Sequence, residues 1–441
     1  MSAHEGDTGG LVRRTLELSA RVSSQSEVLL VEEGLMRAAL LPSGCIEFSA
    51  GSSACSGLRM FRHGKLGMAS TSEPEEQADL IERAISSARS GQPVEYELPA
   101  ELGPPCNAEP RLVHHDASSM THAGMGDFLD RLRAALADLS PHASLIGSMS
   151  LEDVTVTLGN SRGFLESYRK AAFRLALRFS FPTSEGLFPY YHGWTSGYIA
   201  MQPEEIAAEA FRAFTWASRR ADGPVRGPLL MSPGALAVLL QALRTGVSAR
   251  RRLRGSSPLI GKQGEKVLSS MLTLHDRPAL DYGAASAPFD AEGIRTRDKP
   301  LFERGVFSGF LYDLATAWEA GTESTGSAGR NCTDPPEPVC TNLTMEPGKA
   351  SFQGMLEDMD SGLLVLDLLS GGSSNVITGD FSFDTSSAFL VESGEIVGRM
   401  GRAVVSGNVY DLLSGIISVE SSLHLIGSDW LPHLLVESPG P

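Results

Sequence analysis

Basic residues are scarce in this sequence: 37 Lys and Arg stand against 53 Asp and Glu, a formal net charge of −16. Binding to a phosphate backbone rests on Lys and Arg contacts that release counterions, so nucleic acid is excluded as an expected direct partner. The acids are dispersed along the chain rather than gathered in a tail. Long apolar runs are missing as well. No stretch reaches the roughly eighteen apolar residues of a membrane span, and the opening "MSAHEGDTGG" lacks the basic flank and apolar segment of a secretory signal. The expectation is therefore no membrane partner and a cytoplasmic location. Cysteine is sparse: Cys45, Cys55, Cys106, Cys332 and Cys340 are odd in number and widely spaced, which fits neither a disulfide framework nor a CxxC zinc pattern. Free thiols are expected, including Cys332 and Cys340 on either side of the Pro-rich "TDPPEPV".

What is present is an ordinary globular composition, 42% hydrophobic and 20% charged over 441 residues, enough chain for two or three cores. Residues 11–24 read as a helix. Five short runs then follow, "SEVLLVEEG", "LMRAALLPSG", "CIEFSAGSSA", "CSGLRMFRHG" and "KLGMASTS", split by Gly, Ser and Pro at about ten-residue intervals, the spacing of an antiparallel meander rather than of βαβ units. Helices are expected over 73–90, 121–139 and 204–219, with a loop or linker at 91–118 and two or three strands across 152–200. The stretch "RRADGPVRGP" is the best domain boundary, giving 1–221 and 222–441. Beyond it, Leu229 to Ala249 reads as a buried strand end, a capped turn and a helix. Ser232 suits the cap, Pro233 the first helical position, and Ala235, Leu236, Leu239, Leu240, Leu243 and Val247 form one apolar face. The basic run "ARRRLRG" after it reads as a solvated helix end. From Gly326 onward strands and turns dominate, apart from a short helix at 351–360. In the stretch 373–408, Gly379 and Asp380 permit a tight turn, Phe381 and Phe383 point to one face, and "ESGE" and "SGN" read as hairpin turns. The fold class is α+β: an N-terminal mixed α/β region with an antiparallel meander sheet, and a C-terminal, mainly antiparallel β region around a central helix.

Candidate chemistry is thin. His114, His115 and His122, with Asp116 and Asp127 nearby, sit in a loop and a helix start, a poor frame for zinc. His192, in "PYYHGWTSG", stands among aromatics in a turn, as a packed histidine or part of a binding loop. His275 and Asp276 are adjacent on a strand and point to opposite faces, so they cannot form a local base and orienter. Ser382, Ser386 and Ser387 lack a GxSxG elbow that would make one of them a nucleophile. Neither "GSSACSG" nor "LLSGGSSN" fits the phosphate loop GxxxxGK[ST], so no nucleotide cofactor is indicated.

Several pieces in order, "PLIGKQGEKVLSSMLTLHDRP", "SAPFDAEGIRTRDKPLFERGVFSGFLYDLATA", "ESTGSAGR", "TNLTMEPG", "GLLVLDLLSGG" and "ITGDFSFDTSSAFLVESGEIVGRMGRAVVSGNVYDLL", resemble the TldD/PmbA family, known as modulators of DNA gyrase. "GLRMFRHGKLGMASTSE" and "VTVTLGNSRGFLESYRKAAFRLALRF" extend the resemblance over nearly the whole chain. In TldD-type subunits the helix after the equivalent strand bears His-Glu-x-x-x-His: the histidines hold zinc and the glutamate is the general base, with a cysteine near the C-terminus as a further ligand. The corresponding segment here is "QALRTG", Gln241 to Gly246, with no histidine or glutamate, and the tail has no cysteine. His424 and His433 stand in that tail, but two histidines without the helix pair make an implausible site.

The resemblance thus implies the TldE or PmbA type of subunit: metal-free, with no cofactor in this chain and zinc expected in a TldD-like partner. Together the two would form a heterodimeric metallopeptidase that encloses a chamber and acts on unfolded or short peptides. This chain would be noncatalytic, contributing interface and peptide binding, and a homodimer is the alternative when it is alone. By motif position Gln241, Arg244, Thr325, Arg330, Asn342, Asp380 and Ser382 fall on the chamber side, with His192 as a further substrate-binding candidate. "NCTDPPEPVC" and the aromatic "PTSEGLFPYYHGWTSGY" depart from the family pattern. They leave two other readings open: a specialised peptide or natural-product tailoring hydrolase, and a peptide-binding protein without turnover.

Overall fold

The computed structural model describes residues 8–104, 109–184, 186–223, 227–368, 373–385, 387–401 and 403–438. Cys106 and Ser386 lie outside the described residues, as does part of the expected boundary stretch. The N-terminal half is built on one six-stranded sheet of β1 (Gln25–Leu40), β2 (Ile46–Arg62), β3 (Lys65–Thr71), β4 (Ser144–Asn160), β5 (Leu165–Thr183) and β6 (Gly186–Ser196). The order is β3-β2-β1-β4-β5-β6, and every neighbouring pair is antiparallel. The five short runs expected here merge into three strands. Gly34 and Gly51 look like breaks in the sequence, yet Gly34 pairs in register with Ser52 on one side and Asp153 on the other, and Gly51 pairs with Leu35. A glycine weakens a strand without ending it when neighbouring strands supply a ladder, from both sides at Gly34 and from β1 alone at Gly51. The β2–β3 turn has φ of 51° at His63 and 71° at Gly64, the two positive values a tight two-residue hairpin needs.

Helices cover this sheet: α1 (Thr8–Ser19), α2 (Gln77–Ala88), α3 (His115–Ser119), α4 (His122–Leu139) and α5 (Pro203–Ala217). α1 stops five residues short of the expected end, and α2 starts later than expected. α3 falls in the stretch read as a loop: the His114 ring Nδ1 accepts from the Asp116 N–H and caps it.

In the C-terminal half a seven-stranded sheet has Leu229–Met231 near its middle, parallel to Ser361–Val365 and antiparallel to Leu434–Val436. Out of that strand rises α6 (Pro233–Gly246). Ser232 caps it as expected: its hydroxyl accepts from Ala235 N–H at 3.1 Å and donates to the Leu366 carbonyl at 2.6 Å. Ala235, Leu236, Leu239, Leu240, Leu243 and Val247 are all buried in one cluster with both C-terminal sheets. At about 1.5–3 kcal/mol for each large aliphatic side chain removed from water, this face is enough to fix the helix. The basic run after it is not a solvated end. Arg250 pairs with Glu337 at 3.0 Å and Arg252 reaches the Tyr312 hydroxyl at 2.7 Å.

"ESGE" forms a hairpin turn, with φ of 50° at Ser393 and 80° at Gly394. "SGN" does not: Ser406 to Asn408 end a strand, and the Asn408 side chain accepts from Tyr410 N–H to start a short helix, Val409–Ser414, that the pattern did not announce. A second departure is covalent. Cys55 and Cys332, expected as free thiols, form a disulfide between residues 277 apart in sequence, while Cys45 and Cys340 are free. Gly57 explains the approach, because a Cβ there would lie 2.5 Å from the Cys332 carbonyl oxygen. Two residues earlier on the same strand face, Cys55 meets the incoming thiol.

The halves also share a core. One apolar cluster joins α4, α5 and β4 to β6 with Leu230, Leu364, Phe389 and Leu435 of the C-terminal sheet.

Candidate functional site

A cavity of about 560 Å³ lies where β5, β6 and α5 of the first half meet the start of α6 and the C-terminal strands. Along β6 the pleat sets Phe188, Tyr190, His192 and Trp194 on one face, of which Phe188 and Trp194 are fully buried. Tyr190 and His192 instead border the cavity. Across from them α5 presents Glu209, which accepts from the Tyr190 hydroxyl at 2.6 Å and lies 3.9 Å from His192 Nδ1. Burial lowers the His192 imidazole from its ordinary value against the pull of Glu209, and burial beside Glu209 pushes the Tyr190 phenol well up. His192 Nε2 is buried and meets no hydrogen-bond partner among the described residues.

The opposite wall comes from the chain's end. Strands Ile416–Val419 and Leu434–Val436 pair Val419 with Leu434, so the residues just outside that register, Glu420 and His433, lie side by side. Glu420 N–H donates to the His433 carbonyl at 3.1 Å. His433 Nδ1 lies 2.6 Å from Glu420 Oε2, and His424 Nε2 lies 3.0 Å from the same oxygen. The two rings meet edge to face at 5.0 Å, and Phe352 packs on His433 at 4.9 Å. Burial works against ionisation of Glu420, but the hydrogen bonds from both histidines prevail and hold its carboxyl well below the usual range. Burial in turn lowers His433. With Asp367 and Arg212 also in the wall, three carboxyls and three imidazoles face one guanidinium, a site suited to a cation or to polar atoms of a peptide.

Of the eight residues put forward for substrate binding, only His192 borders this cavity, although Ser232, Ser387, His424 and His433, noted in the sequence for other reasons, border it too. The Arg330 side chain is buried elsewhere. It pairs with Glu27 of β1, which also meets Arg59 of β2 at 3.1 Å, and Arg59 in turn reaches Glu292 at 2.6 Å. Two arginines and two glutamates thus close a neutral network between the halves, and Arg330 does not open to solvent. Asn342 is wholly enclosed. Its amide donates to the Arg277 carbonyl at 2.8 Å and the Ser286 hydroxyl at 2.9 Å, and accepts from Ala285 N–H at 3.0 Å, pinning the 277–286 loop. Thr325 bonds both backbone polar groups of Tyr312. On α6, Gln241 is exposed, while Arg244 is held by Asp429 and the Thr341 carbonyl. Asp380 is exposed at a strand start, where Thr378 and Asn408 hydrogen bonds lower its carboxyl from the ordinary value. Ser382 lies across from Ser373 and Ser406 in the same small sheet. These seven do not converge on one site.

His122 is separated from the other two histidines of its stretch and reaches the Ser49 carbonyl at 3.2 Å. Beside the cap at His114, His115 lies 3.0 Å from Asp116. The pattern missed Glu420, Glu209 and Asp367. The tail offered one signal for the first, a glutamate four residues before His424.

Residues 224–439 match the model of the PmbA/TldA metallopeptidase C-terminal domain. A "Metalloprotease" of Methanothermobacter thermautotrophicus is 27% identical, over 91% of this chain and 87% of that one. "Metalloprotease PmbA" of Escherichia coli O157:H7 is 27% identical, over 66% of this chain and 64% of its own length. Among solved structures, TldE from Thermococcus kodakarensis superposes with a TM-score of 0.88 at 25% identity, covering 98% of this chain and 100% of that one.

The metal that this likeness implies does not fit α6. Gln241, Ala242 and Gly246, with Arg244 and Thr245 between them, offer neither imidazole, thiolate nor carboxylate, and the Arg244 side chain is already engaged by Asp429. No described helix is long and apolar enough to cross a membrane.

Proposed function

We propose that this chain, which belongs to the PmbA/TldD family, is the TldE-type subunit of a heterodimeric peptidase whose α6-type zinc belongs to a TldD-like partner. The observation that carries the reading is α6 itself. Its cap, its burial and the strand beneath it are intact, yet the positions that would hold and serve zinc carry Gln241, Ala242 and Gly246. A helix kept for shape and emptied of donors fits a subunit that supplies interface and peptide contacts. An extended peptide can be held by addition to a sheet edge. The cytoplasm, where unfolded and short peptides arise, is the matching location.

The test is peptide hydrolysis by the purified chain, alone and mixed with a TldD-like protein of the same organism, followed by size-exclusion chromatography. The expected result is an inert single chain and an active mixture that elutes as one species. Hydrolysis by the chain alone, or failure to co-elute, overturns the proposal. A second reading, a chain that handles a peptide or natural product by itself, is favoured by one observation. The cavity at His192 and Glu420 is large enough for a small ligand and lies entirely within this chain.

A further inference from the structure

From the convergence of Glu420, His424 and His433 on the cavity wall we infer a second kind of metal site, built from residues outside α6: two imidazoles and a carboxylate that take a zinc-class divalent ion. The inference does not rest on the heterodimer proposal, and it revises the expectation that this chain has no metal of its own.

The donor set is the first argument. Two imidazole nitrogens and one carboxylate form a common three-residue zinc set, and borderline-soft transition ions prefer it over Mg²⁺ or Ca²⁺. One ligand atom from each of the three residues lies within 4.8 Å of the others. Donor-to-donor separations in a tetrahedral zinc site are roughly 3.3 Å, from bond lengths of about 2.0–2.1 Å. The 2.6 and 3.0 Å contacts on Glu420 Oε2 therefore need to open by about 0.7 and about 0.3 Å. Protons hold the three groups together without a metal, and an ion that displaces them meets ligands already assembled.

The frame is the second. Glu420 and His433 are fixed by paired strands and by the Glu420 N–H to His433 carbonyl hydrogen bond, and Phe352 holds the His433 ring from the side. A site supported in this way meets the precision a metal demands. The other His and carboxylate group among the described residues, His114, His115 and Asp116, lacks it: the His114 Nδ1 lone pair already accepts from Asp116 N–H, and the His115 side chain is 81% exposed.

The third is the cavity. Three protein ligands leave a tetrahedral ion at least one position for an outside donor, and the same cavity is bordered by His192, whose buried Nε2 lacks a hydrogen-bond partner among the described residues. The ligand class that fits is an oxygen donor of a peptide or small acid, held between the ion and His192.

The experiment uses the full chain without a partner, stripped of metal and titrated with Co²⁺, then displaced with Zn²⁺. One equivalent of Co²⁺ is expected to give the visible bands of a low-coordinate nitrogen and oxygen site, and Zn²⁺ to abolish them. His424→Ala, His433→Ala and Glu420→Gln are each expected to weaken binding by at least about tenfold, the scale seen even for outer-sphere changes, while His115→Ala leaves it unchanged. His424 is 42% exposed, so its alanine variant keeps the fold even where the more enclosed His433 variant does not. Absence of a one-equivalent cobalt spectrum in the natural chain overturns the inference. So does a His424→Ala chain that folds and binds as before, or loss of binding in His115→Ala. Complex formation with a TldD-like protein is scored separately, so either idea can fail alone.

Discussion

Several polar residues that motif position puts on the chamber side turn out to be ties. Arg330 closes the motif "ESTGSAGR", but its guanidinium is spent on Glu27 inside a four-charge network. Removing one member of a buried pair leaves its partner charged and dry, at a cost of about 3–5 kcal/mol. Arg330→Ala is thus expected to lower the unfolding free energy by that amount in urea titrations; a loss below about 1 kcal/mol would return Arg330 to the surface. Asp290 supports the same region by accepting from Glu292, Ile294 and Ala328 N–H groups. Burial and the neighbouring Glu292 nonetheless push its carboxyl up to about 7. An unfolded aspartate titrates near about 4, so between these values the native state holds the extra proton. Stability is then full at the acid end and falls as pH rises to neutrality, by at most about 1.4 kcal/mol per pH unit. Asp290→Asn is expected to flatten that slope between pH about 4 and about 7, whatever its absolute stability. An unchanged slope in urea series across the range sinks the assignment. Motif position alone could not reveal any of this, since partners such as Glu27 and Arg330 lie 303 residues apart.

At the scale of elements, local chemistry was legible wherever a cap and an apolar stripe coincided. The start of α6, the Gly379 turn and the "ESGE" hairpin could be read from a few adjacent residues. β1 and β2 could not, because Gly34 and Gly51 are tolerated only through pairing that other strands provide. "SGN" misled for the opposite reason: asparagine caps helices as readily as it turns hairpins. The Ser232 cap permits a direct measurement. Its hydroxyl serves Ala235 N–H and the Leu366 carbonyl at once, so Ser232→Ala removes a cap worth about 1 kcal/mol and leaves a carbonyl short of a donor, for a total of about 2 kcal/mol. Thermal or urea unfolding gives the value, and a loss under about 0.5 kcal/mol would mean water replaces the hydroxyl. Ser232 also borders the cavity, and Ser232→Thr, which retains the hydroxyl, is expected to recover most of the stability.

Across the whole molecule, the two halves are joined by a shared apolar cluster, the buried ionic network and the Cys55–Cys332 disulfide. These ties differ in what breaks them. The apolar cluster and the network persist in a reducing medium, so the halves stay docked when the disulfide opens, and the change falls mainly on the unfolded chain, which regains the freedom of a very long loop. Such cross-links contribute about 2–4 kcal/mol. Cys332→Ser is expected to lose that much in oxidising buffer, and adding dithiothreitol to the natural chain should bring it down to the variant's value while leaving the variant itself unmoved. The cavity draws its walls from both halves but not from Cys55 or Cys332, so Co²⁺ binding at Glu420, His424 and His433 should survive reduction. A chain that separates into two independently melting units on reduction would show instead that the covalent tie, rather than the packed and ionic one, holds the site together.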